Sequence, residues 1–123
     1  MGYDFSEQTV VVTGGTRGIG AAISRAFLAA GARVHALYAR SDAHAEAFSA
    51  SVDRPGALGT ARVDVTDPAA VETFFDGLEG GLHVLVNNAG IRKDAVLGAM
   101  PDEAWRDVLS TNLDGTFNCA KQA

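Results

Sequence analysis

A strand that runs without a spacer into spaced glycines, and then into a helix, leaves few folds open. This chain carries that order of signals in Val10-Val11-Val12-Thr13-Gly14-Gly15-Thr16-Arg17-Gly18-Ile19-Gly20. The apolar, β-branched run is the strand. From Ile19 to Ala30 the apolar residues return every three to four positions, as on a helix. In a turn between two such elements, one glycine takes φ > 0 and another lets backbone N–H groups approach a phosphate. The last lets the helix pack close to the strand. A helix N-terminus placed there offers unpaired donors and a partial positive charge to a pyrophosphate, so the stretch is read as the phosphate turn of a dinucleotide site.

The rest of the chain repeats the alternation of strand and helix. Ile19, Ile23, Ala26, Phe27 and Ala30 are expected on one helical face, with Gly31 at the C′ position. The compact segment Arg33 to Tyr38 follows as a second strand, and the short link implies a right-handed βαβ unit. In many dinucleotide folds an acidic residue closes this strand and binds the adenosine ribose. Here Tyr38-Ala39-Arg40-Ser41 stands in that place, with Asp42 expected to cap the next helix. With no carboxylate to repel a 2′-phosphate, Arg40 and Arg17 favour NADPH over NADH, although either arginine alone also reads as a solvated surface charge.

A weak alanine-rich helix is expected from Ser41 to Ser51, and a third strand from Ala61 to Val65. Asp67-Pro68 then supplies an N-cap and a first-turn proline. Val71, Phe74, Phe75 and Leu78 form a helical face, closed by Gly80 and Gly81. The fourth strand, Leu82 to Val86, leads straight into Asn87-Asn88-Ala89-Gly90. Two asparagines at a strand end can satisfy neighbouring strands and a ligand together, while Ala89 and Gly90 leave bare backbone against a ribose. From Pro101 the chain reads as helical to its last residue, with Trp105, Val108, Leu109, Leu113, Phe117 and Ala120 as candidate buried positions. Asn112 falls among them, where asparagine is a poor helix former. The pattern predicts an α/β fold: a Rossmann-like doubly wound parallel sheet in the order 3-2-1-4, with residues 1–123 forming one dinucleotide-binding unit.

The composition narrows the partners. A net charge of −5 without any cluster of Lys or Arg argues against nucleic acid or an anionic membrane. No stretch approaches the ~20 apolar residues of a membrane span. The single Cys119 excludes an intrachain disulfide and reads as a small buried residue. Met1-Gly2-Tyr3-Asp4-Phe5 has no signal-peptide character, and the expected location is the cytoplasm. His35, His44 and His83 lack metal-ligand spacing, so no metal is expected.

Thr13-Gly14-x-x-x-Gly18-x-Gly20 and Asn87-Asn88-Ala89-Gly90 together resemble the short-chain dehydrogenase/reductase family, whose glycine motif has three residues between its first two glycines. Thr-Arg-Gly-Ile-Gly, Asn-Asn-Ala-Gly-Ile and the stretch from Trp105 to Thr111-Asn112 are most similar to its 3-oxoacyl-(acyl-carrier-protein) reductase and acetoacetyl-CoA reductase group. The resemblance implies NADPH-dependent reduction of a carbonyl, a 3-oxoacyl thioester in that group, as in fatty-acid or polyketide metabolism. It implies cofactor contacts from Thr13, Gly14, Thr16, Arg17, Gly18, Ile19, Gly20, Arg40, Asp64, Val65, Asn87, Asn88, Ala89 and Gly90. Asp64 also reads as a strand-end residue that caps its turn. Asn112 matches the family's helix asparagine, whose backbone sits at a local distortion and binds a water of the proton relay.

The family's chemistry further uses a Tyr with a Lys four residues on, and a Ser. Neither Tyr3 nor Tyr38 has such a Lys, and the chain closes on Lys121-Gln122-Ala123 without a helix stop. The expectation is therefore the cofactor-binding half of a reductase, as a truncated form, a fragment or one chain of a split pair. Alone it should be inactive, and the expected partners are a homo-oligomeric copy or a complementing C-terminal chain, with a small or carrier-bound ketone as substrate. The alternative is a nucleotide-binding or interaction module without catalysis.

Overall fold

The computed structural model describes residues 3–123. In chain order the regular elements are β1 (Thr9–Thr13), α1 (Gly18–Ala29), β2 (Arg33–Tyr38), α2 (Asp42–Ser51), β3 (Leu58–Arg62), α3 (Pro68–Asp76) and β4 (Val84–Val86). They are followed by α4 (Asp102–Leu109), a π turn (Ser110–Asp114) and α5 (Gly115–Gln122). Among the described residues the four strands form one parallel sheet in the order β3-β2-β1-β4, as the sequence predicts. β1 lies between β2 and β4, in register Val11 with His35 on one side and with Leu85 on the other.

Strands covered on both faces need apolar residues throughout, and β1 is buried over its whole length. Val10 and Val12 pack on one face with Leu28, Ala32 and Val34. Val11 packs on the other with Leu37, Val63, Val65, Val71 and Cys119. Burial pushes the Cys119 thiol up, which leaves it a packing residue.

Local signals close several elements where expected. Gly31, at φ 97°, ends α1 in a Schellman motif: its N–H donates to the Leu28 carbonyl and the Ala32 N–H to that of Phe27. Asp67 Oδ1 caps α3 by accepting from the Ala69 and Ala70 N–H groups, with Pro68 opening the helix.

Other boundaries move. α2 is capped by Ser41, whose Oγ accepts from the His44 N–H, and not by Asp42, whose carboxylate turns outward to other partners. β3 occupies 58–62 instead of 61–65, because Gly59 and Thr60 pair with His35 and Ala36 although glycine is a poor strand former. Val63 and Val65 are buried beyond the ladder. α3 stops at Asp76 with Gly77 as C-cap, and Gly80 and Gly81, both at positive φ, carry the chain to β4. β4 itself begins at Val84 and not at Leu82.

Two helical faces also differ from expectation. The buried line of α1 is Gly20, Ser24 and Leu28, while Ile19 is 76% exposed. In the last helical stretch Gly115 and Cys119 are buried, and Trp105, Leu109, Leu113, Phe117 and Ala120 are exposed. Gly115 explains this: an added Cβ would lie 2.5 Å from Val65 Cγ2, so only a bare backbone brings α5 this close to the sheet. Asn118 Nδ2 fixes the same contact by donating to the Val65 carbonyl at 2.9 Å.

Candidate nucleotide site

The carboxyl ends of all four strands open onto one cleft of about 570 Å³. In doubly wound sheets a ligand crevice forms where the strand order reverses, here beside β1. Its floor is the turn after β1. Gly14 (φ 60°) and Gly18 (φ 56°) adopt the left-handed region that side chains disfavour. A Cβ on Gly20 would collide with the Gly14 carbonyl oxygen, and one on Gly18 would meet nothing within 4 Å, so the backbone there faces open space. Gly15, which the sequence reading left unassigned, is the packing glycine beneath the turn: the Ser24 hydroxyl donates to its carbonyl at 2.9 Å.

No side chain caps α1, whose N-cap is Arg17, and its first turn holds no acid. The first N–H groups of a helix have no intrahelical partner. They are left for something in the cleft, and a phosphate is the group that their geometry and partial charge suit.

The second wall comes from Asn88-Ala89-Gly90 after β4. Thr13 Oγ1 ties it to β1, accepting from the Asn88 N–H at 3.0 Å and the Ala89 N–H at 2.9 Å. Asn88 Nδ2 donates to the Thr13 and Gly14 carbonyls at 3.2 and 3.1 Å. Asn88 thus holds the glycine turn from the side, which requires an amide reaching two carbonyls at once. Asn87 is exposed and lies outside the cleft lining.

Arg17 and Arg40 both line the cleft and are exposed, at the end where β2 finishes. Asp64 lines it too, with Oδ1 accepting from the Thr66 N–H at 2.9 Å and from its hydroxyl at 2.7 Å. The turn-capping role is therefore present, and Val65 lies beside it in the lining. Of the predicted cofactor residues, Gly14, Thr16, Arg17, Gly18, Ile19, Gly20, Arg40, Asp64, Val65, Asn88, Ala89 and Gly90 converge on the cleft. Ile19, exposed on α1, stands at its mouth. Tyr38 and Ile91 were missed as lining residues; each immediately adjoins a motif and carries no signal of its own.

Asn112 lies in the π turn. Its side chain makes a two-way clamp on Ile91: Oδ1 accepts from the Ile91 N–H at 2.8 Å and Nδ2 donates to the Ile91 carbonyl at 2.9 Å. Only an amide offers donor and acceptor in this pairing, which accounts for an asparagine inside a helix. The Asn112 carbonyl accepts from the Thr116 hydroxyl at 3.1 Å.

Tyr38 is not placed as a proton donor for the family's chemistry. Its hydroxyl donates to Asp42 Oδ1 at 2.7 Å, and that carboxylate holds Tyr38 above the usual phenol range. Among the described residues no group of three His, Cys, Asp or Glu is placed to hold a metal ion, and no helix is long and apolar enough to cross a membrane.

A parallel 3-2-1-4 sheet with a crevice at the end of β1 defines a Rossmann-like protein. The family described as short chain dehydrogenase matches residues 8–123, and the chain belongs to it. Over 122 residues it is 40% identical to the 3-oxoacyl-(acyl-carrier-protein) reductase of Escherichia coli (strain K12), covering 96% of this chain and 48% of that protein. It is 41% identical over 117 residues to the acetoacetyl-CoA reductase of Rhizobium meliloti (strain 1021), covering 90% and 46%. The crystal structure of a short-chain dehydrogenase/reductase of the glucose/ribitol dehydrogenase type from Brucella melitensis superposes with a TM-score of 0.93 at 33% identity, over 100% of this chain and 53% of that one. The chain spans about half the length of the curated relatives it matches.

Proposed function

We propose that this chain is the cofactor-binding half of an NADPH-dependent carbonyl reductase acting on a 3-oxoacyl thioester. The observation that carries the reading is the combination at one cleft of an uncapped helix N-terminus, open glycine backbone, and two arginines, with no acid among the lining residues Tyr38-Ala39-Arg40-Ser41 that close β2. The Gly18–Gly20 amides hold the pyrophosphate, and Arg17 and Arg40 take the 2′-phosphate. Asp64 and Val65 would hold the adenine end, and Asn88, Ala89 and Gly90 the nicotinamide ribose. NADPH bound in this cleft supplies the hydride. The thioester substrate class rests on the likeness to the two reductases named above, both of which act on such substrates by their names.

The chain's own residues orient and exclude. Thr13 and Asn88 keep the two walls of the cleft in register, and Asn112 holds the loop after Gly90 through Ile91. The Asn112 backbone, in its π turn, holds a water for proton delivery. The proton donor at the carbonyl is a Tyr–Lys pair, with a Ser, from outside these residues, since Tyr38 is engaged by Asp42. The cytoplasm is the proposed location.

The same reading assigns the exposed Trp105, Leu109, Leu113 and Phe117 to contacts in an assembled enzyme, with a second copy or with the chain that completes the site. The test is equilibrium binding of NADPH and NADH to the full-length protein. NADPH at least about tenfold tighter is expected from charge-assisted contacts to the extra phosphate. Equal affinities would remove the NADP assignment.

A further inference from the structure

Beside the cleft, but not lining it, stands a guanidinium with three engaged neighbours. Tyr38 and Arg62 are partners at the last rung of the β2–β3 ladder, and the Val63 N–H donates to the Tyr38 carbonyl at 2.9 Å. Beyond that rung β2 leaves the sheet as Ala39-Arg40-Ser41, three residues that all line the cleft. The corner has no further ladder bond to hold it. Arg62 Nε supplies one instead, donating to the Ala39 carbonyl at 3.0 Å. Arg62 Nη1 lies 3.5 Å from Asp42 Oδ2, and Asp42 Oδ1 accepts from the Tyr38 hydroxyl at 2.7 Å. The chain from Tyr38 to Asp42 is thus closed into a ring by side chains, with Arg40 at its apex.

We propose that Arg62 is a positioning residue for recognition of the nucleotide's 2′-phosphate. It acts through two effects. By holding the carbonyl one residue before Arg40, it fixes the direction in which Arg40 leaves the corner. By pairing with Asp42, it offsets a carboxylate at this corner whose charge opposes a bound phosphate. A planar fork with several donors serves a carbonyl and a carboxylate together, which a Lys ammonium on a flexible stem does not match. The Arg62 and Asp42 side chains are 59% and 60% exposed. A pair that open contributes little to folding, so its loss should appear in binding and not in melting temperature.

The inference rests on the NADP reading, and the probes are chosen so that the two can fail separately. Binding of 2′,5′-ADP and of 5′-ADP is measured calorimetrically on the full-length protein and on Arg62→Ala, Arg62→Lys and Arg40→Ala. The wild type should prefer 2′,5′-ADP, and Arg40→Ala should remove that preference. Arg62→Ala should weaken 2′,5′-ADP about three- to tenfold, the loss of one charge-assisted bond, while 5′-ADP changes by less than about twofold. Arg62→Lys should recover only part of the loss, with melting temperatures unchanged throughout. A wild type without preference overturns both readings. A preference left undiminished by Arg62→Ala, an equal loss for both probes, or full recovery by Lys overturns the positioning role while leaving NADP recognition standing.

Discussion

The first βαβ unit and the chain from β4 onward both carry large apolar side chains and end in opposite conditions. In the first, β1 is wholly buried between two neighbours, and α1 lays Ser24 and Leu28 onto the sheet and closes with a Schellman motif. In the second, β4 has three residues, all only partly buried, and α4 and α5 leave Trp105 54% and Phe117 64% exposed. The difference lies in what each can pack against. β1 has strands on both sides, whereas β4 is an edge among the described residues and presents unpaired backbone groups. The proposed phosphate contacts fall on the complete side, at the β1–α1 turn and the end of β2, while the edge strand β4 contributes only the wall that follows it, Asn88-Ala89-Gly90.

The sharpest way to break that comparison is to spoil the complete side. Gly20→Val forces a side chain into the Gly14 carbonyl, so nucleotide binding in calorimetry should vanish, and overpacking should cost about 1–3 kcal/mol in denaturant unfolding. Next in size, Val11→Ala removes buried methyls from the strand at the centre of the sheet and should lower stability by about 2 kcal/mol. Its counterpart on the other side, Leu113→Ser with Phe117→Ser, should change monomer stability by less than about 0.5 kcal/mol per site while shifting the assembly toward smaller species in sedimentation. An equal loss of stability in both variants would erase the distinction between the regions.

Arg17→Ala or Arg40→Ala should weaken NADPH about tenfold and NADH hardly at all, read as the ratio of dissociation constants. The smallest effect belongs to His35, half-buried on β2 with its ring 5.9 Å from Phe74. Burial, with Arg33 nearby, holds its pKa below the usual 6.5. The unfolded chain therefore binds the proton more readily, and stability is fully present above about pH 6.5 and declines as the pH falls through that value toward the folded pKa. His35→Gln should flatten this part of the unfolding profile.

Much of the fold was legible because its signals are local. The glycine turn, Asp67-Pro68 and Gly31 each specify a conformation through neighbours within a few residues, and the strand order follows from the alternation of elements. The Asn88 bridge was legible as a motif, though its two carbonyl partners were not. What escaped depends on distant contacts. β3 begins at Leu58 because β2 offers a partner there, which the composition of Leu58-Gly59-Thr60 does not announce. Asp42 passed for a helix cap, since nothing in the sequence says that Arg62 and Tyr38 reach it. Ile19 fits the apolar period of α1 yet faces the cleft, because the helix is rotated to bring Gly20 against Gly14. The bulky residues of the final helix were expected to be buried from their spacing, and Gly115 with Cys119 took that face instead.

The β1–α1 turn and the end of β2 are proposed to hold the phosphates of NADPH. A crystal structure of the full-length protein grown with NADPH tests it most directly. The account predicts the pyrophosphate on the Gly18–Gly20 amides and the 2′-phosphate between the Arg17 and Arg40 guanidinium groups. A nucleotide bound with its pyrophosphate away from the glycine turn, or with its 2′-phosphate turned from both arginines, would contradict it.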